Sequence, residues 1–242
     1  MQSDAISELA PNGILRVGVN LGNFLLVSGK RPSGEPVGVS PDMGRNIAQR
    51  LGVAVTYVTF DSPGELADAA TRDVWDIALI ADEPSRAEQI VFTSPYVEIE
   101  ATYMVRENSP IQKLEDVDQP GIQIAVSGRA AYDLYLTRHL KYAALVRGEG
   151  LPGTVELFVR ERLDVLAGLR PALIDNASEL GNMRILEGQF STVQQAIGTL
   201  RKNKAGAAFL QDFVVGATKS GLVERFIDRH GVTGRLQVAS SN

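Results

Sequence analysis

The sequence predicts an α/β fold with mostly parallel sheets arranged as two lobes. Short β-branched or apolar runs alternate with helical stretches along the whole chain. Residues 76–81, DIALIA, form an apolar run typical of a central strand buried on both faces. Breaks near residues 106–110 and near Thr199 separate two similar β–α series. They predict one lobe from residues 1–106 and 199–242 and a second lobe from residues 107–198.

The predicted elements follow from apolar spacing and from capping residues. We expect strands at 13–19, 53–60, 76–81, 98–105, 122–126, 145–146, 163–167, 183–186 and 193–199. We expect helices at 41–51, 63–71, 130–139, 154–162, 171–180, 205–219 and 222–230. Ser40 is expected to cap the first helix and Gly52 to end it, and Asp61 or Ser62 is expected to cap the second.

The composition indicates a globular protein that avoids nucleic acid. The 242 residues carry a formal net charge of −5, and an acidic surface repels phosphate backbones. The absence of cysteine excludes disulfides and thiolate metal sites. His139 and His230, the only histidines, fall late in predicted helices, where the helix dipole favours them. We therefore expect no metal, no cofactor and no histidine-based catalytic triad.

The sequence also predicts where the chain resides. No apolar stretch approaches the roughly 18 residues of a membrane helix, so no membrane insertion is expected. Residues 1–8 lack a basic start and an apolar core, so they do not form a signal peptide. We expect either a cytosolic protein or a mature exported form with an added methionine.

The sharpest local feature is the segment 81–86, which follows the most apolar strand. Pro84 is expected to open a short helical stretch, and Arg86 can hold a carboxylate bidentately at the end of the strand. The alternative is that Arg86 is an ordinary surface arginine. Glu98 and Glu100 share one face of their predicted strand, either as surface carboxylates or as an acid near the lobe junction.

Four segments together resemble one known family. They are 13–19 (GILRVGV), 38–53 (GVSPDMGRNIAQRLGV), 75–96 with its DIALI and PSRAEQIVFTSPY runs, and 121–128 (GIQIAVSG). In this order they resemble the bacterial extracellular solute-binding proteins of family 3, which are type 2 periplasmic binding proteins. The resemblance covers essentially the whole chain. It implies two lobes, each a mostly parallel sheet flanked by helices, joined by two hinge strands around a ligand cleft.

The resemblance also implies the site residues. Arg86 corresponds to the arginine that grips the ligand carboxylate. The other implied ligand-binding positions are Asn20, Asn23, Ser62, Ala81 and Asp82 in the first lobe and Ser127, Gly128 and Arg129 in the second. The family's ammonium-binding aspartate would fall on Gly168, so that anchor is missing. Arg129 and Arg170 would favour an anion with more than one carboxylate, unless both are solvated.

The resulting hypothesis is a solute-binding protein that closes on a small carboxylate or amino acid and delivers it to an ABC permease. The resemblance implies a periplasmic monomer without a catalytic residue, and the N-terminus leaves a cytoplasmic location open. One alternative is a dehydratase or lyase similar to cyclohexadienyl dehydratase, with Asp82, Glu98 or Glu100 as the general acid. Another is a cytosolic ligand-sensing domain.

Overall fold

The structure, a computed structural model, describes residues 2–240. The strands in this range are β1 Ile14–Asn20, β2 Gly29–Lys30, β3 Pro36–Val37, β4 Ala54–Phe60, β5 Ile77–Ala81, β6 Ile90–Phe92, β7 Val97–Arg106, β8 Gln123–Ser127, β9 Ala144–Gly148, β10 Val165–Leu169, β11 Met183–Ile185, β12 Ser191–Leu200 and β13 Gln237–Val238. The helices are α1 Gln2–Leu9, α2 Val39–Leu51, α3 Pro63–Asp68, α4 Ala131–His139, α5 Gly150–Arg160, α6 Arg170–Leu180, α7 Lys204–Lys219 and α8 Leu222–Arg229. These alternating strands and helices confirm the predicted α/β class.

The chain divides into two compact units. Unit 1 comprises residues 1–98 and 194–242, and unit 2 comprises residues 99–193. The chain passes from one unit to the other inside β7 and again inside β12. The predicted boundaries, 106/107 and 198/199, lie further along these same two strands, because the sequence indicates where a strand ends but not where its contacts change.

Unit 1 is built on a sheet whose parallel strands are ordered β4–β1–β5. The register places Asn20 beside Phe60 and Val19 beside Leu79, so the carboxyl ends of these strands meet at one edge. The unit-1 part of β12 runs antiparallel to β5. All five residues of β5 are buried, as its apolar sequence predicts.

Unit 2 repeats the scheme with a smaller sheet. The strands β9, β8 and β10 are parallel, and the unit-2 part of β7 pairs antiparallel with β10. Phe158 of α5 and Leu173 of α6 pack with Leu166 of β10 in the core. The carboxyl end of β8 falls at Ser127 and that of β10 at Leu169. These ends are the positions where an open α/β sheet offers a ligand its loops.

Two of the predicted helix ends are confirmed. Ser62 caps α3 through a hydrogen bond that its Oγ accepts from the Glu65 N–H at 3.2 Å. Gly52 ends α2 in the left-handed conformation, with φ of 75°. Both follow from residue types that suit these backbone positions.

The predicted cap at Ser40 is wrong. Helix α2 begins at Val39, after Gly38, so Ser40 lies inside the first turn. The Ser40 hydroxyl instead shares a 2.8 Å hydrogen bond with the buried Tyr96 hydroxyl. The hydroxyl that the local sequence pattern assigned to a helix cap is therefore used in a contact with a residue far along the chain.

Several short elements escaped prediction. They are α1, the β2–β3 hairpin, β6 and β13. Helix α1 is fixed by tertiary contacts, since Leu9 packs on Gly206 and the Glu8 carboxylate accepts a hydrogen bond from the Gly206 N–H at 2.8 Å. Among the described residues, no helix is both long enough and apolar enough to cross a membrane.

Candidate functional site

The candidate site of unit 1 is the sheet edge where β1, β4 and β5 end. Asn20 closes β1, Ser62 lies just after β4, and Asp82 follows β5 directly. The loops after β1 and β4 touch each other, because a Cβ on Gly22 would lie 2.8 Å from the carbonyl oxygen of Asp61. Parallel pairing therefore brings the predicted first-lobe residues to one edge.

Arg86 is folded back over the end of β5. Its Nη1 donates a 2.8 Å hydrogen bond to the carbonyl oxygen of Ala81, and the residue is only 6% exposed. It is therefore not the surface arginine that the sequence left as an alternative. The segment after Pro84 forms consecutive turns rather than the expected helical stretch, and the Arg86 N–H donates to the Glu83 carbonyl. The guanidinium is thus held by the strand end, and the backbone of Arg86 is held by the turn after Glu83.

Two predicted side chains at this edge are already committed to local structure. Asn20 accepts a 2.9 Å hydrogen bond from the Gly22 N–H through its Oδ1, which shapes the loop after β1. The Ser62 hydroxyl serves the cap of α3. Asn23 differs, because its Oδ1 is buried without a hydrogen-bond partner among the described residues. A buried acceptor without a donor costs roughly 1–3 kcal/mol, so this oxygen is suited to a ligand donor.

Unit 1 also contains a cavity of about 530 Å³ behind the end of β5. Asp82, Glu98 and Gln194 line it, together with α7 and the segment after β13. Partial burial and the nearby Glu83 carboxylate raise the pKa of Asp82, while Arg86 opposes that shift. Two of the three carboxyls considered as a general acid thus line one cavity.

In unit 2, the backbone amides of the implied ligand-binding residues Gly128 and Arg129 already have partners inside the unit. The Gly128 N–H donates to the Gly148 carbonyl at 3.0 Å. The Arg129 N–H donates to Asp133 Oδ2 at 2.7 Å, and Arg129 adopts a left-handed φ of 62°. The Arg129 N–H just before α4 is therefore satisfied by a carboxylate from the first turn of that helix.

Asp133 is the centre of this arrangement. It is 1% exposed, and its two oxygens accept from Arg147 Nε at 3.0 and 3.1 Å. Arg147 Nη2 also donates to Thr137 Oγ1 at 2.7 Å. Nothing in the sequence singled out Asp133 beyond its place at the start of a helix. Its signal was a carboxylate in the first turn of α4, where the helix dipole favours negative charge.

Two further side chains of unit 2, those of Tyr132 and Arg170, have partners inside the unit. Tyr132 is buried, which raises its pKa to about 12, although a hydrogen bond with Ser127 opposes the shift. The guanidinium of Arg170 forms an ion pair with Glu100 and donates to the Gly188 carbonyl. Arg170 is thus not the solvated cation considered in the sequence. Within the described part of the chain, no group of three or more histidine, aspartate or glutamate side chains is placed to hold a metal.

Solved structures define the class to which this fold belongs, the type 2 periplasmic binding proteins. A mutant of ArgBP from T. maritima superposes with a TM-score of 0.76 at 21% identity, covering 94% of this chain and 99% of the other. The substrate binding protein of an amino acid ABC transporter superposes with a TM-score of 0.74 at 18% identity, covering 89% and 98%.

The sequence assigns the chain within this class. Residues 15–232 match the family model of bacterial extracellular solute-binding proteins, family 3, and the chain belongs to that family. A curated relative, cyclohexadienyl dehydratase from Pseudomonas aeruginosa, is 28% identical over 149 residues. That match spans 60% of this chain and 55% of the relative's length. The predicted family is confirmed, and a relative of the chain is an enzyme.

The buried ion pair of unit 2 yields a stability prediction. We expect Asp133→Asn to lower the free energy of unfolding by roughly 2 kcal/mol, because it leaves Arg147 without its carboxylate and removes the charge that holds Arg129. The loss is smaller than for a fully buried pair since the Arg147 side chain is 46% exposed. Urea unfolding at neutral pH measures the change.

The matched control is Glu156→Gln, which breaks the exposed pair between Glu156 and Arg160 in α5. Surface pairs contribute little, so this variant should change the free energy of unfolding by less than about 0.5 kcal/mol. Equal losses in the two variants would contradict a special role for Asp133.

Proposed function

We propose that this protein binds a small carboxylate-bearing solute, an amino acid or a related organic acid, as the solute-binding component of an ABC-type uptake system. The observation that carries the proposal is the buried Arg86 at the carboxyl end of β5. Family membership supports it, and so does the similarity to the substrate binding protein of an amino acid ABC transporter.

The chemistry of the guanidinium supports Arg86 as the carboxylate anchor. A guanidinium is planar, stays charged at neutral pH and carries five N–H donors in a fork that matches a carboxylate. The hydrogen bond to Ala81 uses one donor and fixes the plane of the group against the strand end. A side chain held in this way loses little conformational freedom when it takes up a ligand, which favours affinity.

The other residues proposed at the unit-1 edge are Asn20, Asn23, Ser62, Ala81 and Asp82. Within this set, Asn23 is the acceptor for a ligand N–H, because its Oδ1 is buried and has no donor among the described residues. Ser127, Gly128, Arg129 and Arg170 are proposed as contacts from unit 2. The amide donors of Gly128 and Arg129 are used by Gly148 and Asp133, so the contribution of Arg129 falls to its side chain and that of Gly128 to the shape of the loop.

The charge balance of unit 2 favours a solute with one carboxylate. The sequence raised the expectation of a polyanion because Arg129 and Arg170 both stood near the proposed site. Since Arg170 is paired with Glu100 and Arg147 with Asp133, both cations are compensated within the unit. A second ligand carboxylate would have to displace one of these internal carboxylates.

Ligand binding in this proposal shifts an equilibrium between open and closed forms by hinge motion at the two crossings of the chain, within β7 and β12. In this proposal a permease of the ABC type binds the closed form. The location proposed is the periplasm or the cell exterior, as the name of the family implies.

Arg86 supplies the test of this proposal. A thermal-shift screen over amino acids, hydroxy acids and aromatic acids identifies the solute, because a ligand at about 100 times its Kd stabilises the protein by roughly 2.7 kcal/mol. We expect Arg86→Lys to weaken binding of that solute by about tenfold or more, since it keeps the charge and loses the fork. Arg86→Ala should abolish binding in calorimetry.

The exposed Arg72 provides the control, and Arg72→Ala should bind like the original chain. Circular dichroism establishes that each variant is folded. Arg86 also bonds to the Ala81 carbonyl, so its loss in Arg86→Ala could unfold the protein. In that case the affinity of the Arg86→Lys variant is the test. Unchanged affinity in a folded Arg86→Lys variant would remove Arg86 from the site.

A second candidate function is a dehydratase. The curated relative and the raised pKa of Asp82 favour it, because a protonated carboxyl can donate a proton to a leaving hydroxyl group. In this alternative Asp82 is the general acid and the substrate is a hydroxylated cyclohexadiene carboxylic acid. The activity would fall as the pH rises through the pKa of Asp82, since the acid must be protonated to act.

Turnover separates the two candidates. A dehydratase converts that acid with loss of water, followed by ultraviolet absorbance, and Asp82→Asn should lower the rate by about 100-fold or more. The matched control is Asp212→Asn on the exposed side of α7. Binding of the acid without any product would exclude the dehydratase and leave the binding protein.

A further inference from the structure

The segment 186–190 of unit 2, here called the connector, joins β11 to β12. It ends just before the point within β12 where the chain crosses to unit 1. Residues 187–189 of the connector are exposed, and Gly188 has a left-handed φ of 74°. A segment with so few buried groups keeps one conformation only where hydrogen bonds hold it.

Both ends of the connector are bonded to β7. The Leu186 N–H donates to the Tyr103 carbonyl at 2.9 Å, and the Phe190 N–H donates to the Ala101 carbonyl at 3.0 Å. The Phe190 ring also packs on the Tyr103 ring, with the ring centroids 4.5 Å apart. These residues of β7 lie just after the first crossing of the chain between the units. The segment that enters the second crossing is therefore tied to the strand that leaves the first.

The middle of the connector is held through one carbonyl group. The Gly188 carbonyl accepts a hydrogen bond from the Thr102 hydroxyl at 2.9 Å and another from Nη2 of Arg170. Nε of Arg170 forms an ion pair with Glu100 of β7. Thr102 is fully buried, whereas the side chains of Glu100 and Arg170 are 37% and 26% exposed. One carbonyl thus links the connector to β7 and to the start of α6.

The elements that hold the connector are fixed to the core of unit 2. The pairing of β7 with β10 places Thr102 opposite Gly168 and Ala101 opposite Leu169. Arg170 follows β10 directly and begins α6, which packs Leu173 into the core. The groups that bind the Gly188 carbonyl therefore move with that core.

We propose that Thr102, Glu100 and Arg170 are positioning residues for the hinge motion of the proposed function, on which this inference rests. Their side chains and the Gly188 carbonyl form a clasp that makes the unit-2 end of both crossings part of the unit-2 core. Bending is then confined to the crossings themselves, at residues 98–99 and 193–194. This role of Arg170 needs no contact with the solute.

Without the clasp, bending spreads into the connector. Backbone residues that are released from fixed partners gain conformations, so the ligand-free protein samples a wider range of arrangements. The distance between a point on unit 1 and a point on unit 2 then has a broader distribution. A role limited to the stability of unit 2 would lower the melting temperature and leave this distribution as it is.

The test measures that distance by pulsed electron spin resonance between two nitroxide labels, with no solute present. The chain has no cysteine, so Arg72→Cys in unit 1 and Glu156→Cys in unit 2 provide one exposed label each. In this background, Thr102→Val removes the hydroxyl and Glu100→Gln removes the charge, and both keep the shape of the side chain. We expect each to widen the distance distribution by about 1.5-fold or more.

The matched control is Thr199→Val in the unit-1 part of β12. The Thr199 hydroxyl is also fully buried and donates to the Asp76 carbonyl at 2.8 Å, so the same group is removed away from the connector. The width should not change in this variant. Thermal melts establish that each variant is folded, and Glu100→Gln decides the outcome if Thr102→Val does not fold.

Unchanged widths in folded Thr102→Val and Glu100→Gln variants would overturn the clasp, and so would equal widening in Thr199→Val. Because the measurement needs no solute, its failure is distinct from a failure of Arg86 to bind a carboxylate.

Discussion

The antiparallel pairing of β12 with β5 is the constraint on which the ligand-binding edge depends. It places Gln195 opposite Ala81, and it joins the Asp82 N–H to the Gln194 carbonyl. Because of this pairing, β5 ends at a fixed point with a strand on each side. The Ala81 carbonyl that receives Arg86 is held there by the sheet. A charged side chain in a largely buried position needs such fixed partners.

In unit 2, the backbone N–H groups that follow β8 find their hydrogen-bond partners within the unit. Asp133, in the first turn of α4, accepts from the Arg129 N–H just before the helix and from Arg147. This carboxylate is covalently part of the chain, so it needs no ligand to balance the cations around it. Arg147 and Arg170 of unit 2 are paired within that unit, and Arg86 of unit 1 is bonded to the end of its own strand.

The features that depend on local pattern could be predicted from the sequence, and those that depend on distant contacts could not. The apolar run of β5, the end of α2 at Gly52 and the Ser62 cap follow from residue type and spacing. Arg86 was the principal predicted site residue because it follows a buried strand within a family motif. By contrast, the Ser40 hydroxyl bonds to Tyr96, 56 residues away, and Arg170 pairs with Glu100, 70 residues away. A local sequence pattern does not reveal such distant contacts, so it does not show that these side chains already have partners within the chain.

A crystal structure of the chain with the solute identified by screening tests the central claim most directly. The account predicts that a carboxylate oxygen of the solute lies within hydrogen-bond distance of the Arg86 guanidinium at the end of β5. A solute bound elsewhere, with Arg86 still engaged only by groups of the chain itself, would contradict it.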